Sequence, residues 1–189
     1  LRDHPQGYRK ALNLIPRQLL SLYLAAYQSY LWNRVAGLYI SAAVEPGTQG
    51  ATALEIAGAG LPVYHELPGG VLERLRGQSI AMPHHRAVYH PPELAVAARA
   101  VLRSEGLALN DLKARILDKA YLSRHRRPLL LFPAELTVEA PVPDDRSPGR
   151  HKLALGFALP RGSYATLVIK WADALNHTTN REDPDDRRE

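Results

Sequence analysis

The longest run of regularly spaced hydrophobic residues in this chain begins just after Pro16. Large apolar residues recur there every three or four positions: Leu20, Leu24, Tyr27, Leu31 and Val35. This spacing places them on one face of a helix, and Leu19, Tyr23 and Tyr30 widen that face. Because the apolar stripe is so broad, the pattern predicts a long helix at the centre of a helical core.

Two further helices are predicted between residues 91 and 128. The first begins at Pro91-Pro92 and ends at Gly106. Its apolar face consists of Leu94, Ala97, Ala98, Val101 and Leu102. Asn110 is a suitable N-cap for the second helix, with Leu112, Ile116 and Leu117 facing inward. That helix is expected to end in the basic cluster Arg124-His125-Arg126-Arg127, which the helix dipole favours, before Pro128.

The rest of the chain predicts loops and short strands. Residues 41–60 form a connection with one strand near Ala53 to Ala57, and residues 62–70 and 82–92 are loops around a short basic helix from Val71 to Arg76. Hydrophobic and polar residues alternate in 135–140 and again in 153–159, which predicts an antiparallel pair joined by the loop 141–149. A helix follows from Tyr164 to about Leu175, and the polar tail 178–189 is expected to be disordered. The fold class is therefore α+β, with a mostly helical module in residues 1–130 and a β-rich piece in 131–177.

Composition excludes several classes of site. The 189 residues are 46% hydrophobic, enough for a real core, and the net charge of +5 suits a polyanionic partner. There is no cysteine, so disulfides and thiolate zinc sites are excluded. No apolar run approaches the roughly 20 residues that span a bilayer, which predicts a cytoplasmic protein without a membrane partner. His84, His85 and His90 lack a carboxylate at metal-ligand spacing, and no nucleotide-binding fingerprint occurs, so no metal or cofactor is expected.

The most informative segment reads Phe-Ala-Leu-Pro-Arg-Gly-Ser-Tyr-Ala-Thr, residues 157–166. It combines the end of an apolar strand, a Pro/Gly corner and the start of a helix. Tyr164 at this corner is either a core tyrosine or a stacking platform for an unpaired base. Arg161 and Gly162 are either an ordinary turn or a place where the backbone approaches an RNA phosphate and Arg161 pairs with it.

This segment resembles the C-terminal signature of the TruD family of tRNA pseudouridine synthases. A second string, Ala-Tyr-Gln-Ser-Tyr-Leu-Trp-Asn at 26–33, also resembles that family and lies in the family's order. The resemblance implies that residues 1–130 are the inserted helical domain and that residues 131–177 complete the pseudouridine synthase sheet. It also implies that Tyr164 lines the uridine pocket. Lys170 stands where the family has an arginine followed by a glutamate, but here Trp171 follows.

In that family an aspartate carboxylate is required for the reaction, and no cofactor takes part. Its Lys-Asp motif does not occur in this chain, so the aspartate is expected upstream of Leu1, no catalytic residue is expected within the chain, and the chain alone is expected to be inactive. RNA, specifically tRNA, is the expected partner of a monomeric protein. Substrate-binding candidates are Tyr164, Arg161, Gly162 and Lys170, and RNA-backbone candidates are Arg124, Arg126, Arg127 and Arg34.

Two alternatives remain open from the residues. The chain could be a non-catalytic RNA-binding relic of the family. It could also be a protein-interaction module that buries the helix carrying Tyr27 and Tyr30 against a partner. Within the second string, aromatic residues at helical spacing favour the core, and Gln28 and Asn33 are candidates to bridge neighbouring loops.

Overall fold

The computed structural model describes residues 6–44, 51–56, 59–64, 66–114, 117–118, 120–161 and 163–179. Within these residues the helices are α1 (Tyr8–Asn13), α2 (Arg17–Ala43), α3 (Gly69–Leu75), α4 (Pro92–Ser104) and α5 (Ala165–Thr179). The strands are β1 (Ala51–Ile56), β2 (Ala59–Tyr64), β3 (Ser79–Ala81), β4 (Arg126–Pro128), β5 (Ala134–Val138), β6 (Val142–Pro143), β7 (His151–Lys152) and β8 (Leu155–Ala158). The α+β class is confirmed.

Helix α2 supplies one side of the main hydrophobic core, as its pattern predicts. Leu31, Val35 and Tyr39 pack against residues of α3, β3 and α4. The indole Nε1 of Trp32 donates a hydrogen bond to the carbonyl of Ile80, 3.2 Å away, which ties α2 to β3. The first half of the helix differs from the prediction, because Leu19, Tyr23 and Tyr27 of the expected face are exposed and only Leu20 is buried there. Only the second half of α2 is central to the core.

Helix α4 confirms its predicted bounds and its apolar face. Leu94, Ala97, Ala98, Val101 and Leu102 are all buried. Gly106 ends the helix with a positive φ of 67°, a conformation that glycine adopts without strain. The amide of Gly106 donates to Arg103 and the amide of Leu107 donates to Leu102, which is the Schellman pattern of hydrogen bonds.

The helix predicted from Asn110 to Arg127 is wrong. The described residues of this segment contain one short 3₁₀ turn, Leu109–Asp111, in which the Asp111 carboxylate accepts from the amide of Ala108 at 2.7 Å. Within the basic cluster, Arg126 and Arg127 lie in β4, which pairs antiparallel with β3, and Arg127 stands opposite Ile80. Hydrogen bonds to a strand more than 40 residues earlier therefore replace the local bonds of a helix. Ile116 lies outside the described residues.

The middle of the chain has more strand than its pattern predicts. Strands β1 and β2 pair antiparallel, with Ala53 opposite Pro62, so the loop expected from residue 62 is wrong over its first residues. Proline is compatible with a strand that has one unpaired edge. The short helix near residues 71–76 and the loop of residues 82–91 are confirmed.

The C-terminal pair of strands is confirmed as β5 and β8, which are antiparallel, and β6 and β7 form a smaller pair inside the intervening loop. All five side chains of β5 are exposed, so its expected half-buried face is wrong. The helix after Tyr164 is confirmed but continues to Thr179. Trp171 in α5 donates from Nε1 to the carbonyl of Tyr64 in β2 at 3.4 Å. The remainder of the tail, from residue 180, lies outside the described residues.

The described helices include no segment long and apolar enough to cross a membrane. The proposed boundary near residue 130 stays a prediction.

Candidate nucleic-acid interface

A buried glutamine in α2 fixes the chain that carries the basic cluster. The Nε2 of Gln28 donates to the carbonyls of Pro83 at 2.8 Å and Ser123 at 2.9 Å. Its Oε1 accepts from the amide of Ser123 at 2.8 Å. Gln28 is only 1% exposed, so these bonds are shielded from water. The expected bridging role of Gln28 is confirmed, and it places Arg124 next to the loop that begins at Met82.

Arg127 lies between two aromatic rings that come from distant parts of the sequence. Its guanidinium carbon is 5.2 Å from the centre of the Trp32 ring and 5.4 Å from the centre of the Tyr164 ring. Its Nη2 also lies 3.5 Å from the hydroxyl of Ser29. Ser29 and Trp32 are three residues apart in α2 and therefore share a helix face. Through Arg127, the string 26–33 meets the string 157–166.

Tyr164 is not a core residue. Its side chain is 49% exposed, and it stands at the start of α5, where its carbonyl accepts from the amide of Leu167 at 3.0 Å. The turn before it is closed by a bond from the amide of Ser163 to the carbonyl of Pro160 at 3.1 Å. These two hydrogen bonds fix the backbone on either side of Tyr164. Because its ring is open to solvent, it can stack on an unpaired base.

The other substrate-binding candidates lie beside Tyr164 in the sequence. Arg161 and Lys170 are exposed, and neither forms an ion pair within the described part of the chain. Gly162 lies outside the described residues. Trp171, which departs from the family pattern, is exposed and forms a hydrogen bond to the Tyr64 carbonyl of β2.

The remaining members of the basic cluster differ in how firmly they are held. Arg126 donates from Nε to the Ser79 hydroxyl at 2.9 Å and from Nη2 to the Ser79 carbonyl. Arg124 is exposed. Burial lowers the pKa of the nearby His84, and the positive charges of Arg124, His85 and Arg86 lower it further. The sequence did not indicate that Arg124 acts on His84 together with the adjacent His85 and Arg86.

Arg34 belongs to a different network. Its Nη1 pairs with the Glu105 carboxylate and donates to the Tyr30 hydroxyl at 2.9 Å, while Nη2 donates to the Ser104 hydroxyl at 2.9 Å. The hydroxyl of Tyr27 also donates to Glu105, at 3.3 Å. Arg34 is thus not brought together with Arg124, Arg126 and Arg127, and its role as an RNA contact stays a prediction.

The arginines of the basic cluster form no ion pair within the described residues. The ion pairs recorded there join Arg9 to Asp118, Arg34 to Glu105, Arg76 to Glu73 and Lys152 to Asp145. Arg124, Arg126 and Arg127 take part in none of them. A cluster of arginines without carboxylate partners attracts phosphate groups. The described residues contain no group of histidine and carboxylate side chains that could hold a metal ion.

Comparison with known proteins supports a specific family. The family model for tRNA pseudouridine synthase D (TruD) matches residues 1–51. A probable tRNA pseudouridine synthase D of Methanopyrus kandleri is 28% identical over 90% of this chain and 36% of its own length. The corresponding protein of Pyrobaculum arsenaticum is 29% identical over 91% of this chain and 38% of its own length. A probable tRNA pseudouridine synthase D 1 of Methanococcus maripaludis is 23% identical over 88% of this chain and 42% of its own length.

The chain spans about two fifths of the length of these curated relatives. No solved structure matches it significantly. The family model covers part of the helical region, whereas the relatives extend over both resemblance strings. These matches confirm the resemblance carried by the two strings: over most of its length the chain is similar to proteins named tRNA pseudouridine synthase D.

Proposed function

We propose that this chain is part of an isomerase that converts uridine to pseudouridine in RNA, with tRNA as the substrate. The observation that carries the proposal is the half-exposed Tyr164 ring beside an arginine cluster that has no carboxylate partner in the described residues. The relatives cited above are named probable tRNA pseudouridine synthases, which supports both the reaction class and the substrate class.

The proposed reaction divides the work between this chain and a carboxylate outside it. Isomerisation detaches uracil from its ribose, rotates it and rejoins it through carbon, so the base must first leave the helical stack. Tyr164 stacks on the extruded base, and Arg161, Gly162 and Lys170 hold the flipped nucleotide. We assign the aspartate carboxylate that the reaction requires to a part of the enzyme outside this chain. Within the chain, the contribution is therefore binding and orientation.

The arginines hold the RNA backbone next to this pocket. Arg124 and Arg126 are exposed on the segment that Gln28 and β3 fix in place. A cation on fixed backbone binds phosphate with less loss of conformational entropy than one on a mobile loop. Arg34 is the weaker candidate, because Glu105 already neutralises its charge.

The experiment uses a tRNA transcript and the 189-residue chain. Titration by fluorescence anisotropy at several salt concentrations is expected to show that the chain binds tRNA. The logarithm of the association constant should fall linearly as the logarithm of the salt concentration rises. Incubation of the same complex is expected to yield no pseudouridine. Salt-independent binding, or no binding, would contradict the RNA role. Pseudouridine formation by the chain alone would contradict the assignment of the carboxylate to another part of the protein.

A second candidate function is favoured by one observation. Leu22 and Tyr23 of α2 are 61% and 57% exposed, which leaves an apolar helix face without cover from the described residues. A protein partner could bury that face. The proposed partner surface differs from the one expected in the sequence, because Tyr27 and Tyr30 already donate to Glu105. Replacement of Leu22 and Tyr23 by Ser should leave RNA binding unchanged if the two surfaces are independent.

A further inference from the structure

We propose that Arg127 is a positioning residue that fixes the ring of Tyr164, and that phosphate contacts of the basic cluster come from its neighbours. This inference rests on the proposed function, since it assigns how the base-stacking ring is oriented. It differs from the role expected from the sequence, in which the guanidinium of Arg127 contacts the RNA backbone.

Arg127 is held in place at its backbone and at its guanidinium. Its backbone pairs with Ile80 in the β3–β4 ladder. Its guanidinium lies over Trp32, whose side chain is buried and whose indole nitrogen is bonded to the Ile80 carbonyl. A long cationic side chain usually samples many rotamers in solvent. Here the indole and the Ser29 hydroxyl limit that freedom.

Arg127 also restrains the ring of Tyr164. The guanidinium lies over the Tyr164 ring, so a planar cation covers one face of that ring. Tyr164 is nevertheless about half exposed, which leaves other ring surface open. A ring covered on one face and open elsewhere is restrained before a base arrives, so less orientational freedom is lost on stacking. Arg127 thereby links the buried core around Trp32 to the proposed base-binding ring.

The three arginines of the basic cluster differ in their exposure to solvent. Arg127 is partly buried, whereas Arg124 and Arg126 are exposed. No ring contact to either neighbour occurs among the described residues, where the cation–π pairs involve Arg34, Arg76 and Arg127. The guanidinium that touches both rings is thus the least accessible of the three to a phosphate.

The first test needs no RNA. In the nuclear magnetic resonance spectrum of the free chain, the Nε–H proton of Arg127 should be shifted by the ring current of Tyr164. Tyr164→Leu should move that resonance, while the Nε–H of Arg126, bonded to Ser79, stays in place. Because Tyr164 is half exposed, this variant is expected to fold. An Arg127 resonance that does not move would overturn the contact on which the inference depends.

The second test separates positioning from phosphate binding. The probe is a fluorescein-labelled oligouridylate of twelve residues, whose bases are unpaired. Arg127→Lys keeps the charge but loses the planar guanidinium, and is expected to weaken binding several-fold with an unchanged salt slope. The matched control Arg99→Lys changes an exposed arginine of α4 outside the basic cluster and should bind like the wild type. Arg124→Ala should reduce the salt slope by about 0.7, the value of one phosphate contact on a single strand.

The outcomes are distinguishable. If Arg127→Lys binds like the wild type, or if Arg127→Ala reduces the salt slope as Arg124→Ala does, Arg127 is a phosphate contact and the inference is overturned. In a Tyr164→Ala background, Arg127→Lys should have no further effect, and an undiminished effect would also overturn it. If the wild-type chain binds neither oligouridylate nor tRNA, the proposed function fails, whereas the resonance test still decides the Arg127–Tyr164 contact. Urea unfolding of each variant confirms that it is folded.

Discussion

The guanidinium carbon of Arg127 lies 5.4 Å from the centre of the Tyr164 ring, although 37 positions separate the two residues in the chain. The same guanidinium lies over Trp32, in the other string that resembles the TruD family. One cation therefore connects the two segments that resemble that family. This arrangement brings part of a core helix and the start of a C-terminal helix to the same arginine.

Tyr164→Ala should weaken binding of an RNA with unpaired uridines. Stacking of one base on an aromatic ring contributes about 1–3 kcal/mol, so the dissociation constant should rise by about 5- to 150-fold. Tyr164→Phe keeps the ring and is the matched control, with affinity close to the wild type. Fluorescence anisotropy at one fixed salt concentration measures both. Equal affinities for the alanine and phenylalanine variants would reduce Tyr164 to a surface residue.

Gln28→Leu should destabilise the fold and loosen the basic segment. The change removes one buried hydrogen bond to Pro83 and two part-buried hydrogen bonds to Ser123, and it leaves those backbone groups without this partner. Each such group costs about 1–3 kcal/mol, so a loss of about 3 kcal/mol in unfolding free energy is expected. The control Gln18→Leu changes an exposed glutamine of the same helix and should shift stability by less than about 0.5 kcal/mol. If the Gln28→Leu variant is as stable as this control in urea, the hydrogen bonds of Gln28 do not stabilise the fold.

His84 should make the fold sensitive to mild acid. Burial, together with the charges of Arg124, His85 and Arg86, lowers the pKa of His84 below its ordinary 6.5. Near pH 6 the unfolded chain then binds the proton more readily than the folded one, so stability is full above pH 6.5 and falls as the pH drops below it. His84→Gln should flatten this part of the curve of unfolding free energy against pH. The control His151→Gln, at an exposed site, should keep the wild-type curve, and an unflattened curve for His84→Gln would refute the prediction.

Arg34→Met should lower stability rather than RNA affinity. The change leaves the partly buried Glu105 without its cation and removes bonds to Tyr30 and Ser104. A hydrogen bond to a charged group contributes about 1.5–3 kcal/mol, and a loss of about that size in urea unfolding is expected. The salt slope of RNA binding should stay unchanged. A reduced slope with unchanged stability would instead assign Arg34 to the RNA surface.

Tyr89→Phe should leave stability unchanged or raise it by up to about 2 kcal/mol. The Tyr89 hydroxyl is buried and has no hydrogen-bond partner in the described part of the chain, and burial raises its pKa to about 12. Removing a buried polar group that lacks a partner also removes its desolvation penalty. Tyr39→Phe is the opposite control, because the Tyr39 hydroxyl donates to Gln78 at 3.2 Å. Thermal unfolding should rank Tyr89→Phe above Tyr39→Phe, and the reverse order would contradict this account.

The elements that could be predicted are those whose signals are local. The stripe of α2 and the apolar face of α4 repeat at the period of a helix, and Gly106 supplies the backbone conformation that ends α4. The alternation on either side of the loop 141–149 likewise predicts the pairing of β5 with β8. Such patterns depend on residues within one or two turns of each other, so the chain displays them directly.

The failed predictions depend on distant partners. Residues 110–127 have helical spacing and a good cap, yet β4 bonds to β3 and Gln28 captures the backbone of Ser123. Those partners lie 47 and 95 positions away from Arg127 and Ser123, respectively, beyond the range of any periodicity. The exposed first half of α2 shows the converse case, because an apolar stripe identifies a helix face without saying how much of it is covered.

By itself the sequence determined the two long helices, the C-terminal strand pair, the excess of positive charge and the family that the chain resembles, because each is written in neighbouring residues or in a contiguous string. Only the tertiary structure decided which arginine meets Tyr164 and which is neutralised by Glu105. Three of the four arginines proposed to contact the RNA backbone lie within four positions of each other, so sequence distance cannot rank them. Their roles diverge because β-strand pairing and the rings of Trp32 and Tyr164 hold each side chain in different surroundings.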